Sequence, residues 1–198
     1  MKIRILYILT CLTLIGCATF SKKEFKKELI KLDKNEALKI SGKYKLYPHK
    51  EFGRQSSYSN FDSLKKHGNL YQSIVNETWE KRKGLDSLIK EKDDYYIDLQ
   101  IANGNVLKIS LFEKNILIKD TLFNGKIKNG MFYIDNHYYK MTGIPYLAGG
   151  YESNKRRIGL SKSGNLIVNK AVSNEGAVLL IIGTGHAYND SKVFERVN

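Results

Sequence analysis

Tyr95-Tyr96-Ile97-Asp98-Leu99-Gln100-Ile101-Ala102-Asn103-Gly104-Asn105-Val106-Leu107-Lys108-Ile109-Ser110-Leu111-Phe112 reads as a β-hairpin. Tyr95, Ile97, Leu99 and Ile101 alternate with Tyr96, Asp98 and Gln100, the period of two that places alternate side chains on opposite faces of a strand. Asn103-Gly104 follows, a dipeptide suited to a two-residue hairpin turn because both central residues need positive φ. Residues 106–112 then return with Leu107, Ile109 and Leu111 against Lys108 and Ser110.

Downstream the same grammar continues. Glu113-Lys114-Asn115 turns the chain into a strand over 116–123, and Asn124-Gly125 and Asn129-Gly130 bracket Lys126-Ile127-Lys128. Strands are expected at 131–134 and 138–141, then a loop over 143–154. A hairpin of 156–161 and 165–171 crosses Lys162-Ser163-Gly164, 177–182 reads as a continuous apolar, fully buried strand, and 193–197 as a last edge strand. Upstream, 38–47 reads as a strand with Tyr44 and Leu46 opposite Lys43 and Lys45, closed by Pro48. A short helix is expected in the 61–80 region, where Leu70, Tyr71, Ile74, Val75 and Trp79 recur at helical spacing after a cap at Asn60 or Asp62. Short strands at hairpin spacing without βαβ alternation predict a mainly β fold, an antiparallel up-and-down meander. Such a meander protects its edges by closing into a barrel or by folding into two sheets, and the barrel is the expectation.

The first sixteen residues belong to another grammar. Lys2 and Arg4 precede an apolar run too short to span a bilayer as a permanent helix, which needs about 20 apolar residues. Leu14-Ile15-Gly16-Cys17 resembles the lipobox of bacterial prolipoproteins, an apolar pair and a small residue before a thiol. The resemblance implies that 1–16 is a signal peptide removed on export, and that Cys17 is the mature N-terminus and carries a diacylglyceryl anchor. An ordinary buried cysteine at the end of an uncleaved helix is the plainer reading. Of the two cysteines, Cys11 would leave with the leader and Cys17 become a thioether, so no disulfide, thiol nucleophile or thiolate metal site is expected. Removing sixteen residues from 198 leaves 182, enough for one ordinary core.

The formal charge is +13, of which +11 remains without Lys2 and Arg4. Between Lys22 and Lys50 there are ten lysines against Glu24, Glu28, Asp33 and Glu36. So basic a stretch beside a lipid suits an anionic membrane surface, and 17–37 is read as a lipidated basic tether preceding a single domain over 38–198. Phe25, Leu29 and Leu32 lie at i, i+4 and i+7, one face of a short amphipathic helix after Ser21, or else a solvated linker. Nucleic acid is the usual partner of a basic chain, but the leader directs this one away from it.

Gly42-Lys43-Tyr44, opening the first strand after a lysine-rich segment, resembles the Gly-x-aromatic start of lipocalins. The resemblance implies an up-and-down barrel and a late arginine packed on the aromatic ring. Tyr44 stands where that family has tryptophan, and the arginine is Arg156, Arg157 or Arg196.

Catalytic patterns are sparse. His49, His67, His137 and His186 have no metal-ligand spacing, Gly159-Leu160-Ser161-Lys162-Ser163 lacks the second glycine of a nucleophile elbow, and Gly183-Thr184-Gly185-His186 lacks the third glycine of a dinucleotide loop and reads as a rim turn. No enzyme, metal or cofactor is expected. The apolar loop over 143–151 suggests the mouth of a ligand cavity, with Tyr146, Leu147 and Tyr151 as candidate ligand contacts and Arg156 meeting an anionic head group, or else a plug for the barrel end or a bulged strand in the core. The expectation is a lipid-anchored protein of the bacterial cell envelope, on the outer-membrane or periplasmic side, that binds a hydrophobic or lipid-like molecule. The alternative is a structural or protein-interaction lipoprotein whose barrel is filled by its own side chains.

Overall fold

The computed structural model describes residues 19–53, 68–75, 94–144, 148–178 and 182–197. They form a mainly β body, an antiparallel meander of ten strands curled into a half-barrel, with one small α-helix. In chain order the strands are β1 (Gly42–Lys45), β2 (Lys50–Gly53), β3 (Tyr95–Ala102), β4 (Val106–Glu113), β5 (Ile116–Lys128), β6 (Met131–Ile144), β7 (Ala148–Leu160), β8 (Leu166–Val178), β9 (Ile182–Phe194) and β10 (Arg196–Val197). The helix α1 is Leu70–Val75, and a 3-10 turn, Ala37–Ile40, precedes β1.

The hairpin of β3 and β4 forms as its alternation dictates, with Ile97, Leu99, Leu107, Ile109 and Leu111 fully buried. Its turn holds three residues rather than two, since Ala102 pairs with Val106, and Asn103 and Gly104 supply φ of 51° and 70°. Lys114-Asn115 and Asn129-Gly130 make the two-residue turns that follow, all four residues at positive φ. Asn124-Gly125 is not a turn but the point where β5 changes partner, pairing β4 up to Asn124 and β6 from Gly125. A Cβ at Gly125 would lie 2.3 Å from the Phe132 ring and 2.5 Å from the Tyr133 carbonyl oxygen, so glycine lets the two strands meet there.

Three expectations are corrected. The stretch 143–154 is mostly strand: β6 runs to Ile144 and β7 starts at Ala148. The apolar run 177–182 is no single buried strand, because Val178 pairs with Ile182 across a hairpin connection. Gly183–His186, read as a rim turn, lies inside β9. Two adjustments are smaller: residues 38–40 form a 3-10 turn rather than strand, and 193–194 are the end of β9. The helix falls within the expected 61–80 region, but its cap is Asn69, whose Oδ1 accepts from the Gln72 amide at 2.9 Å; Asn60, Asp62 and Trp79 lie outside the described residues.

The main core takes the inner face of the sheet. Tyr44, Ile97, Leu99, Leu107, Ile109, Phe132, Ile158, Leu166 and Phe194 pack there with Leu70, Tyr71 and Ile74 of α1. On the outer face Met131, Ile167 and Val193 form a second cluster with Phe25 and Leu29. The basic stretch beyond Thr19 is therefore not a loose tether. Phe25 and Leu32 are 1% and 4% exposed, Leu29 bridges Ser161, and Ile30 donates its amide to the Leu160 carbonyl. The i, i+4, i+7 spacing identified the buried residues correctly, but the segment is a run of turns strapped across the sheet rather than a helix. Lys23, Lys26, Lys27, Lys31 and Lys34 stay exposed on its solvent side.

Candidate functional site: a charged cavity on the inner wall

Inward positions along β7, β8 and β9 begin apolar and become charged. Leu160 pairs with Leu166 and Ile158 with Val168, but one step further Arg156 pairs with Lys170, and Lys170 with Asp190. Lys192 lies opposite Val168 on one side and Glu51 of β2 on the other. Arg156, Lys170, Asp190 and Lys192, with Val168 and with Gly68, Gln72 and Ser73 around α1, line a polar cavity of about 90 Å³.

Arg156 is 1% exposed, and its Nε donates to the Ser73 carbonyl at 2.8 Å. Asn136 likewise donates its side-chain amide to the Ile74 carbonyl at 2.6 Å. The last carbonyls of a helix have no partners within it and carry partial negative charge, so a cation there is favourable. Arg156 thus ties β7 to α1 while the guanidinium faces the cavity.

One carboxyl responds to this setting. Glu51 is pushed up to about 7, mainly by burial, then by its hydrogen bond with Asp190 and that group's charge, with Lys192 acting in the opposite sense. Its Oε2 is buried without a hydrogen-bond partner. A carboxyl raised in the folded state contributes stability below its ordinary value near 4.5 that is lost as pH rises through about 7. Glu51→Gln keeps the neutral shape at every pH. It is expected to leave the denaturation midpoint at pH 5 nearly unchanged and to raise stability at pH 8.5 by about 1–2 kcal/mol, reduced for the half-exposed position. Equal effects at the two pH values in denaturant titrations would show that Glu51 does not titrate in this range.

A second arginine answers a different question. Arg196 stands over Tyr44 with its Cζ 5.1 Å from the ring centroid and its Nη2 2.6 Å from the hydroxyl. Burial pushes the Tyr44 hydroxyl up to about 12, and the hydroxyl donates to the Ile40 carbonyl at 2.7 Å. Of the three arginines open to that pairing, Arg196 makes it. Arg156 faces the cavity and Arg157 lies under the strap on the outer face.

No family model, curated protein or solved structure matches the chain.

Of the residues proposed from sequence, Arg156 alone lines the cavity. Tyr151 sits on β7 five residues away, on the other face of the sheet, its ring 5.3 Å from Tyr139. Cys17, Tyr146 and Leu147 lie outside the described residues. Glu51, Lys170, Asp190 and Lys192 were missed, because only the register of β2, β8 and β9 brings them together. Among the described residues no group of His, Cys, Asp and Glu is placed to hold a metal, and no helix is long and apolar enough to cross a membrane.

Proposed function

We propose that this chain is a lipid-anchored lipoprotein of the bacterial cell envelope whose β body is a non-enzymatic binding module for a lipid-like molecule with an acidic head group. The leader and the Leu14-Ile15-Gly16-Cys17 box support the anchor. The exposed lysines of the strap, starting six residues after Cys17, suit an anionic membrane surface.

A closed barrel is the architecture that best accounts for the pairing. β1 and β2 act as one strand bent at Pro48, which meets β3 on one side and β9 and β10 on the other. β9 and β10 are separated by Glu195 alone. Counted this way the meander has eight strands, which would return on themselves as a barrel, and the ring of Tyr44 under Arg196 supports the aromatic–arginine pairing that the resemblance to lipocalins implies.

The observation that carries the binding reading is the cavity. A wall that turns from Leu160 and Ile158 to buried Arg156, and from Leu166 and Val168 to half-buried Lys170, places two cations on a polar cavity, the few convergent polar groups that orient a ligand of opposite charge. At about 90 Å³ the space suits a carboxylate or phosphate head rather than a whole ligand, for which pockets run from about 300 Å³. Mass spectrometry of small molecules extracted from the purified protein tests the proposal, with Cys17→Ser separating anchor lipid from cargo. An acidic amphiphile should co-purify with both forms and be depleted at least tenfold by Arg156→Met, a loss of about 1.4 kcal/mol or more in binding. An empty extract from folded protein would sink it.

The second reading, a protein-interaction lipoprotein, has its own observation. β5 exposes Ile116, Leu117 and Leu122 at 67%, 49% and 64%, along a stretch that no described strand pairs on the side away from β4.

A further inference from the structure

Two hairpins leave the body side by side, β6 with β7 and β8 with β9, and the register stacks their residues into rows across four strands. The outermost row is Ile144, Ala148, Val178 and Ile182. Below it come Gly143, Gly149, Ala177 and Gly183, then Thr142, Gly150, Gly176 and Thr184. These twelve residues include no charge, in a chain of which 27% is Asp, Glu, Lys or Arg. The first charge, Glu175, appears in the fourth row beside Met141 and Tyr151. In sequence, 141–151 and 176–185 are two uncharged runs, and the fold places their described residues, 141–144, 148–151, 176–178 and 182–185, at one end of one sheet.

We infer that this end is a membrane-inserting tip, and that its partner is a phospholipid bilayer. Three rows at about 3.3 Å each carry the uncharged part about 10 Å, the depth at which apolar surface seats at the boundary between head groups and acyl chains. The rows beneath carry the side chains that favour that boundary. Tyr151, Tyr139, Tyr138 and Tyr188 occupy the fourth, sixth and seventh rows, with Tyr139 53% and Met141 72% exposed, and His186 stacks on Tyr188. Aromatic rings with a polar atom belong at such an interface, and charge resumes only with them.

The N-terminal segment points the same way. Ser21 donates its amide to Asn189 Oδ1 at 2.8 Å, and the Asn189 amide donates to the Thr19 carbonyl at 2.9 Å. Asn189 is seven residues from Ile182 along β9, about 23 Å from the tip row. From Thr19 the strap runs away from the tip towards Leu29 and Ser161. The described chain therefore enters the strap at the end nearer the tip, and Cys17 precedes Thr19 by two residues in the sequence. Only this position of the anchor rests on the lipoprotein reading; the rows do not.

The test uses the full chain made in a bacterium, purified from its membrane and reconstituted into phosphatidylcholine vesicles with dibrominated acyl chains. The single tryptophan is removed by Trp79→Phe. Reporters are then introduced one at a time by Val178→Trp, by Ile144→Trp on the other hairpin, and by Leu122→Trp on β5 as a control. Bromine in the upper acyl chain should quench both tip reporters by roughly half and leave the control unchanged, and adding Ile182→Asp to Val178→Trp should abolish the quenching. Vesicle-bound protein whose tip reporters behave like the control overturns the inference. So do tip reporters shielded without lipid in a concentration-dependent way, the mark of a second copy. The intact mass separates the two proposals: quenched reporters on protein without acyl mass keep the tip and sink the anchor, and acylated protein with unquenched tips does the reverse.

Discussion

Arg196→Met is expected to lower the free energy of unfolding by about 2–4 kcal/mol, as measured in denaturant titrations. The guanidinium joins β10 to the turn before β1 and to the connection between β7 and β8. Its Nε donates to the Gly164 carbonyl at 3.2 Å, Nη1 to Ser41 at 3.2 Å, and Nη2 to Lys39 and to the Tyr44 hydroxyl, both at 2.6 Å. Methionine retains much of the side-chain volume over the Tyr44 ring but no donor, leaving those carbonyls to water or to nothing. Water reaches the partly exposed side and keeps the loss below the full value for four charge-assisted bonds. Gly42 is part of the same construction: its φ is +152°, and a Cβ there would lie 2.9 Å from Arg196 Nη1. Tyr44→Phe removes one hydroxyl that both donates to Ile40 and accepts from Arg196, and should cost about 1 kcal/mol. If the clamp acts as a unit, the double variant costs less than the sum of the singles. An Arg196→Met protein within about 0.5 kcal/mol of the parent would mean that the ends of the sheet are held by strand pairing alone.

The parts that were legible in the sequence share a physical origin. Wherever one face of a strand meets the core and the other meets water, as in β3 and β4, the alternation of Ile97, Leu99 and Ile101 with Asp98 and Gln100 reports it directly. The strap reported its buried residues for the same reason, although turns and a helix share the spacing of Phe25, Leu29 and Leu32, and the sequence did not show that the first two pack on Met131 and Val193 while Leu32 joins the main core. The upper halves of β6 to β9 have no such asymmetry. Gly143, Gly149, Gly150 and Gly176 contribute no side chain to alternate, and the apolar residues on both sides of a hairpin connection run together as if they were one strand. The charged cavity was less legible still. Glu51 and Lys192 are 141 positions apart and meet because β2 pairs with β9, a register set by turns and packing elsewhere in the chain. Arg156 could be suspected because a cation beside an apolar stretch stands out; Lys170 and Asp190 in ordinary strand sequence could not.

Arg157→Met should be at least as damaging, about 3 kcal/mol, and should act on one segment before the rest. Arg157 is 2% exposed on the outer face, beneath the strap. Its Nε donates to Asn169 Oδ1 at 2.6 Å, Nη1 to the Tyr133 hydroxyl at 2.9 Å and Nη2 to the Ser21 carbonyl at 2.9 Å, and the Phe20 ring centroid lies 4.3 Å from its Cζ. Burial lowers its pKa, yet an arginine so placed stays cationic. Replacing a buried charge by an apolar side chain of similar size is sometimes harmless, since the desolvation cost disappears with the charge. Here the acceptors remain. Asn169 is itself fixed by its amide on Ser191 Oγ at 2.9 Å, so its Oδ1 cannot turn away to another donor without breaking that bond, and the loss outweighs the relief. Lysine should not rescue, because one ammonium on a flexible stem cannot match a planar fork aimed at three acceptors. The strap should then open as a local unit: exchange of the hydrogen-bonded amides of Lys26, Leu29 and Ile30 accelerates well before that of Ile97 or Ile109 in the β3–β4 hairpin. If Cys17 carries the proposed anchor, release of the strap would also let the body drift from the bilayer, and tip reporters on the Arg157→Met background should lose part of their quenching while the acyl mass stays intact. Unchanged exchange at those three amides, together with unchanged stability, would show that the second apolar cluster holds the strap without the arginine.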